Sequence, residues 1–291
     1  MMRIAIVGLG GVGAYIGAKL SALKDEHEII FLARGEHLKE IKEHGLRMID
    51  VNEEKSYYPT SASQTASRHL DIVFLCTKSY QSKEALKGLS NSLSESTIII
   101  PVSNGVDNKE ELQPLTSARV FDACVYIVSH LIKPGLVKKS TDIFALVLPM
   151  ALQEETEALL LKAGLRHKFS SDIKKELWKK FLFISAMGTM TSYYGIGMGS
   201  VYKQHTKELE GLLNEIYGIA RAEGILLEPK AIDKAMETAS KLPLDAPTSL
   251  WLDLKKGKGS ELESLSHYLI KKAKEHGIET PIMQKIYERL R

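Results

Sequence analysis

The strongest constraint on this chain sits at its start. Arg3-Ile4-Ala5-Ile6-Val7 is a short apolar run rich in β-branched residues, and it leads directly into Gly8-Leu9-Gly10-Gly11-Val12-Gly13. From Ala14 to Leu23 the apolar residues fall at helical spacing, among them Tyr15, Ile16, Leu20 and Leu23. Strand, Gly-x-Gly-x-x-Gly and helix, in that order, is what a dinucleotide-binding βαβ unit requires. Gly8 permits the tight turn, Gly10 lets the backbone approach a pyrophosphate, and Gly13 lets helix and strand pack closely. The free N–H groups of the helix start then face the phosphates. A glycine-rich turn alone could be a plain βα connection. Its position between a buried-strand run and an amphipathic helix makes Gly8, Leu9, Gly10, Gly11, Val12 and Gly13 a candidate cofactor loop.

The next strand run, Glu28 to Leu32, ends in Ala33-Arg34-Gly35. An NAD enzyme usually carries an acid there for the ribose hydroxyls. This chain has none, and Arg34 stands in its place. A guanidinium suits a 2′-phosphate, so the expected cofactor is NADPH/NADP.

Further buried-strand runs end at Thr77-Lys78-Ser79-Tyr80-Gln81 and at Ser103-Asn104-Gly105, with helical sequence between. Alternating strands and helices give a parallel, doubly wound sheet. Ligands bind at the carboxyl ends of its strands, which here carry the glycine loop, Arg34, Lys78 and Asn104. Leu38 to His44 reads as a short helix, and two brief strands flank Asn52-Glu53. After Arg119, runs at Val120 to Val128, Gly135 to Lys139 and Ile143 to Leu148 leave no room for helices, with Pro134-Gly135 as a turn. They imply an antiparallel extension to the parallel sheet. Glu154 to Lys162 is one more helix, and Leu165 to Ser170 a last strand or linker.

Beyond Ser171 the pattern turns helical. Asp172 can cap a long helix that is apolar nearly all round and therefore central. Amphipathic helices follow from Leu209 to Ala220, Ala231 to Leu242, Glu261 to His276 and from Pro281. The expected architecture is α/β: an N-terminal Rossmann-type doubly wound sheet with antiparallel extension over 1–168, then an all-helical C-terminal domain over 172–291.

Composition narrows the partners. Lys+Arg 39 against Asp+Glu 36 leaves a net charge of +3, too balanced for nucleic acid or an anionic membrane. No apolar stretch is long enough for a bilayer. Cys76 and Cys124 lie in apolar runs and read as reduced core residues of a cytoplasmic protein; the strand at Arg3 leaves no room for a signal peptide. No metal-ligand spacing is present among the nine histidines. Lys179 and Lys180, on the central helix, are candidate proton donors for a developing alkoxide, though both could simply reach solvent. Glu261 reads as a helix start and Ser249 as a cap before either reads as a ligand.

Taken in order, Gly8-Leu9-Gly10-Gly11-Val12-Gly13, Arg34, Thr77-Lys78-Ser79-Tyr80-Gln81, Asn104-Gly105-Val106, Pro134-Gly135, Leu177-Trp178-Lys179-Lys180-Phe181, and Ser249 with Asp253 ahead of Ser260-Glu261 resemble the ketopantoate reductase (2-dehydropantoate 2-reductase) family over nearly the whole chain. The resemblance implies NADPH-dependent reduction of ketopantoate to pantoate on the pantothenate route to coenzyme A. The family's catalytic lysine falls on Lys180 and its glutamate on Glu261. Lys78 and Asn104 fall on cofactor contacts, Asn104 also on a substrate contact, and Ser249 on a substrate-binding serine. The sequence departs from the pattern at Ile184 and Gly188, where better-known members have asparagines, and at Ser266-His267, where they have Asn-Gly. Two alternatives therefore accompany ketopantoate: another small 2-keto acid as substrate, or a non-catalytic NADP(H) sensor. The outward face of the helical domain could pair two copies as a homodimer, although nothing in the sequence requires it.

Overall fold

The computed structural model describes residues 1–50, 53–257 and 259–291. The chain forms two compact units, Met1–Ser103 with Asp107–Ile173, and Asn104–Val106 with Lys174–Arg291. The first unit runs β1 (Arg3–Val7), α1 (Gly11–Leu20), β2 (Glu28–Leu32), α2 (Gly35–His44), β3 (Leu46–Asp50), β4 (Glu53–Tyr57), β5 (Ser61–Ser63), β6 (Ile72–Leu75), α3 (Ser79–Lys87), β7 (Ile98–Pro101), α4 (Asn108–Leu112), β8 (Arg119–Val120), β9 (Cys124–Lys133), β10 (Leu136–Pro149), α5 (Gln153–Lys162) and β11 (His167–Ser170). The turn expected around Asn52 lies outside the described residues, with β4 opening at Glu53.

Six strands form a sheet in the order β5-β2-β1-β6-β7-β8, every neighbouring pair parallel. Side chains alternate across a strand, and here both faces are apolar. Ile4, Ile6, Phe31, Phe74 and Ile100 pack with Ile16 and Leu20 of α1 on one face. Ala5, Val7, Val73, Leu75 and Ile99 pack with Leu86 of α3 and Leu112 of α4 on the other. That is why these strands read as continuous apolar runs. The chain leaves β1 for β2 on one side and later for β6 on the other. The carboxyl end of β1 is thus the topological switch point, where doubly wound sheets bind ligands.

The strands after Arg119 depart from the expected extension. Only Arg119–Val120 joins the first sheet. The rest stand in a second sheet of order β11-β10-β3-β4, with β9 also on β10. The expected antiparallel pairing is there, between β9 and β10 and between β3 and β4, but in this separate sheet. The reason lies in α1, where Gly13 through Ala18 and Leu20 are all buried. A helix apolar on every side needs cover beyond the first sheet, and Tyr15 finds it against Phe144 of β10, ring centroids 4.5 Å apart. The two strands expected over 135–148 are one strand, with a register irregularity between Lys139 and Phe144. Lys139, 2% exposed, ties β10 to β3 through Asp50 at 2.8 Å.

The second unit is helical, and among the described residues no strand follows Ser170. Its core helix, α6 (Ile173–Tyr194), buries Leu177, Trp178, Phe181, Leu182 and Ala186. Around it lie α7 (Met198–Gln204), α8 (Thr206–Ala222), α9 (Ala231–Ser240), α10 (Ser249–Lys255), α11 (Tyr268–Glu275) and α12 (Pro281–Leu290). A π-helical turn at Glu263–His267 leads into α11. Its Leu265 carbonyl accepts the Ser185 hydroxyl of α6 at 2.6 Å. Leu209, Leu212, Leu213, Ile216 and Ile219 line the inner face of α8. Glu215 of α8 caps α12, accepting N–H bonds from Ile282 at 2.8 Å and Met283 at 3.0 Å. Among the described residues no helix is long and apolar enough to cross a membrane.

Candidate functional site

The glycine loop turns tightly at the end of β1. Gly8 has φ +87°, a conformation that costs an L side chain dearly. Gly13 is where helix meets strand: a Cβ there would lie 2.0 Å from the Gly8 carbonyl oxygen and 2.8 Å from the Cys76 Cβ. Gly10 differs. It is the N-cap of α1 with φ −73°, and a Cβ there would meet nothing within 4 Å. The backbone therefore faces open space at the helix start, where the first N–H groups have no intrahelical acceptor. This cradle of backbone donors without side-chain cover fits a dinucleotide pyrophosphate.

Two residues that the sequence reading passed over hold the loop in shape. His37 of α2 donates from Nε2 to the Leu9 carbonyl at 2.9 Å and accepts at Nδ1 from the Gly135 N–H at 2.8 Å. Those two partners require the neutral ring with its proton on Nε2, and burial holds the His37 pKa below its ordinary value. Ser129 of β9 donates to the Gly11 carbonyl at 2.9 Å. Its carbonyl oxygen would lie 2.3 Å from a Cβ on Gly11, so this glycine serves a strand crossing. The Pro134-Gly135 turn was visible as a turn; its bond to His37 spans 98 residues and left no local trace.

Arg34 follows β2 and Lys78 precedes α3 at the end of β6. Both thus stand with the glycine loop at the carboxyl ends of adjacent strands. Arg34 pairs with Glu84 of α3 at 3.2 Å, with both side chains more than half exposed. Such a pair contributes about 0–1 kcal/mol, so a phosphate could displace Glu84. Burial raises the Cys76 thiol pKa well above its usual value, which makes it inert. One surface group, Glu40, Glu43 and His44 on α2, brings its ligand atoms within 4.8 Å of one another; exposed acidic clusters of this kind are common without an ion.

The second unit brings three sequence-distant residues together. Lys180 donates from Nζ to Asn104 Oδ1 at 3.0 Å. Asn104 donates from Nδ2 to Glu261 Oε2 at 3.0 Å. An amide can accept from an ammonium and donate to a carboxylate at once, and one orientation of its head serves both. Glu261 is 3% exposed and stands just before the helical segment that begins at Leu262. Lys179, its neighbour on α6, is exposed, in keeping with the 100° between successive helical residues. Ser249 is the first residue of α10 and is exposed; the cap is Thr248, whose hydroxyl accepts from the Trp251 N–H at 3.3 Å. The cap expected at Ser249 therefore lies one residue earlier. Ser266 is buried and bonds Thr189 at 3.0 Å, and the exposed His267 stacks on Tyr287 and pairs with Glu263.

The chain is similar to known proteins over nearly its whole length. Residues 4–151 match the family model described as ketopantoate reductase PanE/ApbA, and residues 172–291 match its C-terminal model. An uncharacterized oxidoreductase of Bacillus subtilis, YkpB, is 26% identical across 99% of this chain and 98% of its own. A 2-dehydropantoate 2-reductase of Aquifex aeolicus is 26% identical across 97% of this chain and 93% of its own. A crystal structure of a PanE/ApbA family ketopantoate reductase from Ralstonia eutropha superposes with a TM-score of 0.92 at 26% identity, covering 99% of this chain and 97% of that one. The chain belongs to the ketopantoate reductase PanE/ApbA family and is a nicotinamide-dependent oxidoreductase.

Proposed function

We propose that this protein is an NADPH-dependent reductase of a small 2-keto acid, with residues 1–168 as the cofactor-binding domain and 172–291 as the helical substrate and catalytic domain. Ketopantoate is the substrate in the name of the Aquifex aeolicus relative and the first acid to assay. The observation that carries the reading is the Lys180–Asn104–Glu261 hydrogen-bond chain. It joins a cation with transferable protons to a buried carboxylate through a fixed amide. The backbone of Gly8 to Gly13 would hold the pyrophosphate, Arg34 the 2′-phosphate, and Lys78 and Asn104 the nicotinamide end.

When bound, the reduced nicotinamide supplies a hydride to the carbonyl carbon of the acid. Lys180 supplies the proton. As charge develops on the carbonyl oxygen, the ammonium first stabilises it and then protonates it, leaving a neutral amine that solvent reprotonates. Asn104 fixes one N–H of that ammonium. Glu261 anchors Asn104 and keeps negative charge near the lysine. Ser249 would meet the substrate carboxylate.

The test is a spectrophotometric screen of NADPH oxidation against a panel of 2-keto acids, with Lys180→Ala and Lys179→Ala beside the parent. Removing a positioned proton donor costs about 10²–10⁴-fold in rate. Lys180→Ala should lose that much kcat with NADPH affinity unchanged, whereas Lys179→Ala should match the parent. Binding of NADPH without turnover of any acid would favour the sensor reading, and an active Lys180→Ala would move the proton donor elsewhere.

A further inference from the structure

We infer that this chain prefers 2-keto acids whose side chain is branched and wholly apolar over those carrying a hydroxyl, an inference that rests on the keto-acid reductase reading of the same site. The observation is the helix face that continues from Lys180. On α6, positions 180, 184 and 188 follow one another at four-residue spacing and lie on one side. Ile184 is half-buried, with part of its surface outside the helical core that it packs against. Gly188 carries no side chain, and Leu250 of α10 closes over it. A Cβ on Gly188 would meet Leu250 Cδ2 at 3.5 Å and Leu265 Cδ1 at 3.8 Å, ordinary contact distances. Packing within the helical unit therefore does not require glycine here, and glycine inside a helix is disfavoured against alanine. Gly188 and Leu250 are themselves buried, so the surface beyond the lysine on this face is presented by Ile184 and is apolar.

The hydroxyls nearest this face are already engaged, with backbone carbonyls or with one another. Ser185 bonds the Leu265 carbonyl, Thr189 bonds Ser266, Thr191 bonds Thr248 at 2.6 Å, and Ser192 bonds the Gly188 carbonyl at 2.7 Å. The exposed Ser249 is left for the carboxylate that every 2-keto acid carries. A substrate hydroxyl laid against Ile184 would give up its water without a replacement, whereas a methyl would gain by burial. The expected discrimination is modest, because an apolar surface rejects an added hydroxyl by only about a hundredfold at most.

Two acids that differ by that one group make the test. Ketopantoate is 4-hydroxy-3,3-dimethyl-2-oxobutanoate, and 3,3-dimethyl-2-oxobutanoate is the same skeleton without the hydroxyl. With NADPH saturating, kcat/KM of the parent should favour the deoxy acid by roughly tenfold to a hundredfold. Ile184→Asn, which returns an amide to this face, should narrow or invert that ratio while NADPH affinity stays unchanged. A parent ratio of one or below would overturn the inference, as would an Ile184→Asn protein that folds and keeps the parent's ratio. If Ile184→Asn does not fold, the parent ratio decides alone. No turnover of either acid, or of any other in the panel, would instead overturn the reductase reading and this inference with it.

Discussion

The glycine loop makes two substitutions of the same size fail in different ways. At Gly13 a methyl would lie 2.0 Å from the Gly8 carbonyl oxygen and 2.8 Å from the Cys76 Cβ. Ordinary contact needs about 3.4 Å or more, so α1 and the end of β1 must separate by over an ångström. Neither can give easily, since the obstructing atom is backbone in a turn that Gly8 holds at φ +87°. Overpacking of this kind costs about 1–3 kcal/mol, occasionally more. At about 2–4 °C per kcal/mol for a domain of this size, Gly13→Ala should lower Tm by roughly 2–12 °C.

At Gly10 the same methyl meets nothing, and the backbone angle suits any residue. Losing glycine at an N-cap costs alanine up to about 1 kcal/mol, so Tm should fall by no more than about 4 °C. The methyl would, however, stand in the space through which a pyrophosphate reaches the first N–H groups of α1. One lost charge-assisted hydrogen bond is worth about 1.5–3 kcal/mol, so NADPH Kd should rise roughly tenfold to a hundredfold. Differential scanning fluorimetry reads the first effect and quenching or calorimetric titration with NADPH the second. A Gly10→Ala protein that binds NADPH within threefold of the parent would refute the assignment of this loop to the cofactor. A Gly13→Ala protein that melts with the parent would refute the packing argument.

Arg34→Ala should erase most of the preference for NADPH over NADH, raising the NADPH Kd by tenfold to about a hundredfold with little change for NADH; equal affinity of the parent for both cofactors would end the NADP assignment. For His37 the folded pKa is depressed, so its contribution is complete above the unfolded value of about 6.5 and is lost as pH falls through the lower folded value. NADPH affinity of the parent, measured from pH 7.5 down to 5, should therefore fall more steeply than that of His37→Ala, which serves as the baseline for the cofactor's own titration; parallel profiles would rule out the clamp. Glu215→Ala strips α12 of its cap and should cost about 1–2 kcal/mol in urea unfolding, whereas Glu215→Gln, which keeps an acceptor oxygen, should recover part of it; two variants of equal stability would count against the capping role.

How far the fold could be read from sequence depended on how local each determinant is. The β1–loop–α1 unit was legible because one unbroken run, Arg3 to Leu23, carries strand, turn and helix signals together, and the glycines at 8 and 13 answer to atoms close by. The helical half was legible wherever a face repeats over three turns, as along Leu209 to Ala220. It was not where a helix is two turns long, so Met198–Gln204 left no readable pattern, and of Ser249–Lys255 only a cap was legible, set at Ser249 rather than Thr248. The second sheet was illegible for another reason. Leu136 pairs with Arg47 and Ile49 with Lys138, partners some ninety residues apart that no window of sequence places side by side. Short alternating runs announce strands but not the sheet they join, and here the apolar outer side of α1 decided it.

The candidate site shows the same limit more sharply in Asn104. By position it ends a strand of the parallel sheet and reads as a cofactor residue. Ser103, just before it, bonds Asn108 at 2.7 Å and belongs to the sheet unit. Asn104–Val106 belong to the helical unit: Val106 packs into its apolar core, and the Asn104 amide lies between Lys180 and Glu261. Such a chain has no sequence signature, because its members are separated by 76 and 157 residues. Its chemistry nevertheless constrains what can stand at each place. A carboxylate at 104 could accept from Lys180 but would face Glu261 with like charge, and an aliphatic residue would leave the nearly buried Glu261 short of a donor. Asn104→Asp and Asn104→Leu should thus both disturb Lys180, the first by charge and the second by loss of its anchor, whereas the amide serves both ends without charge.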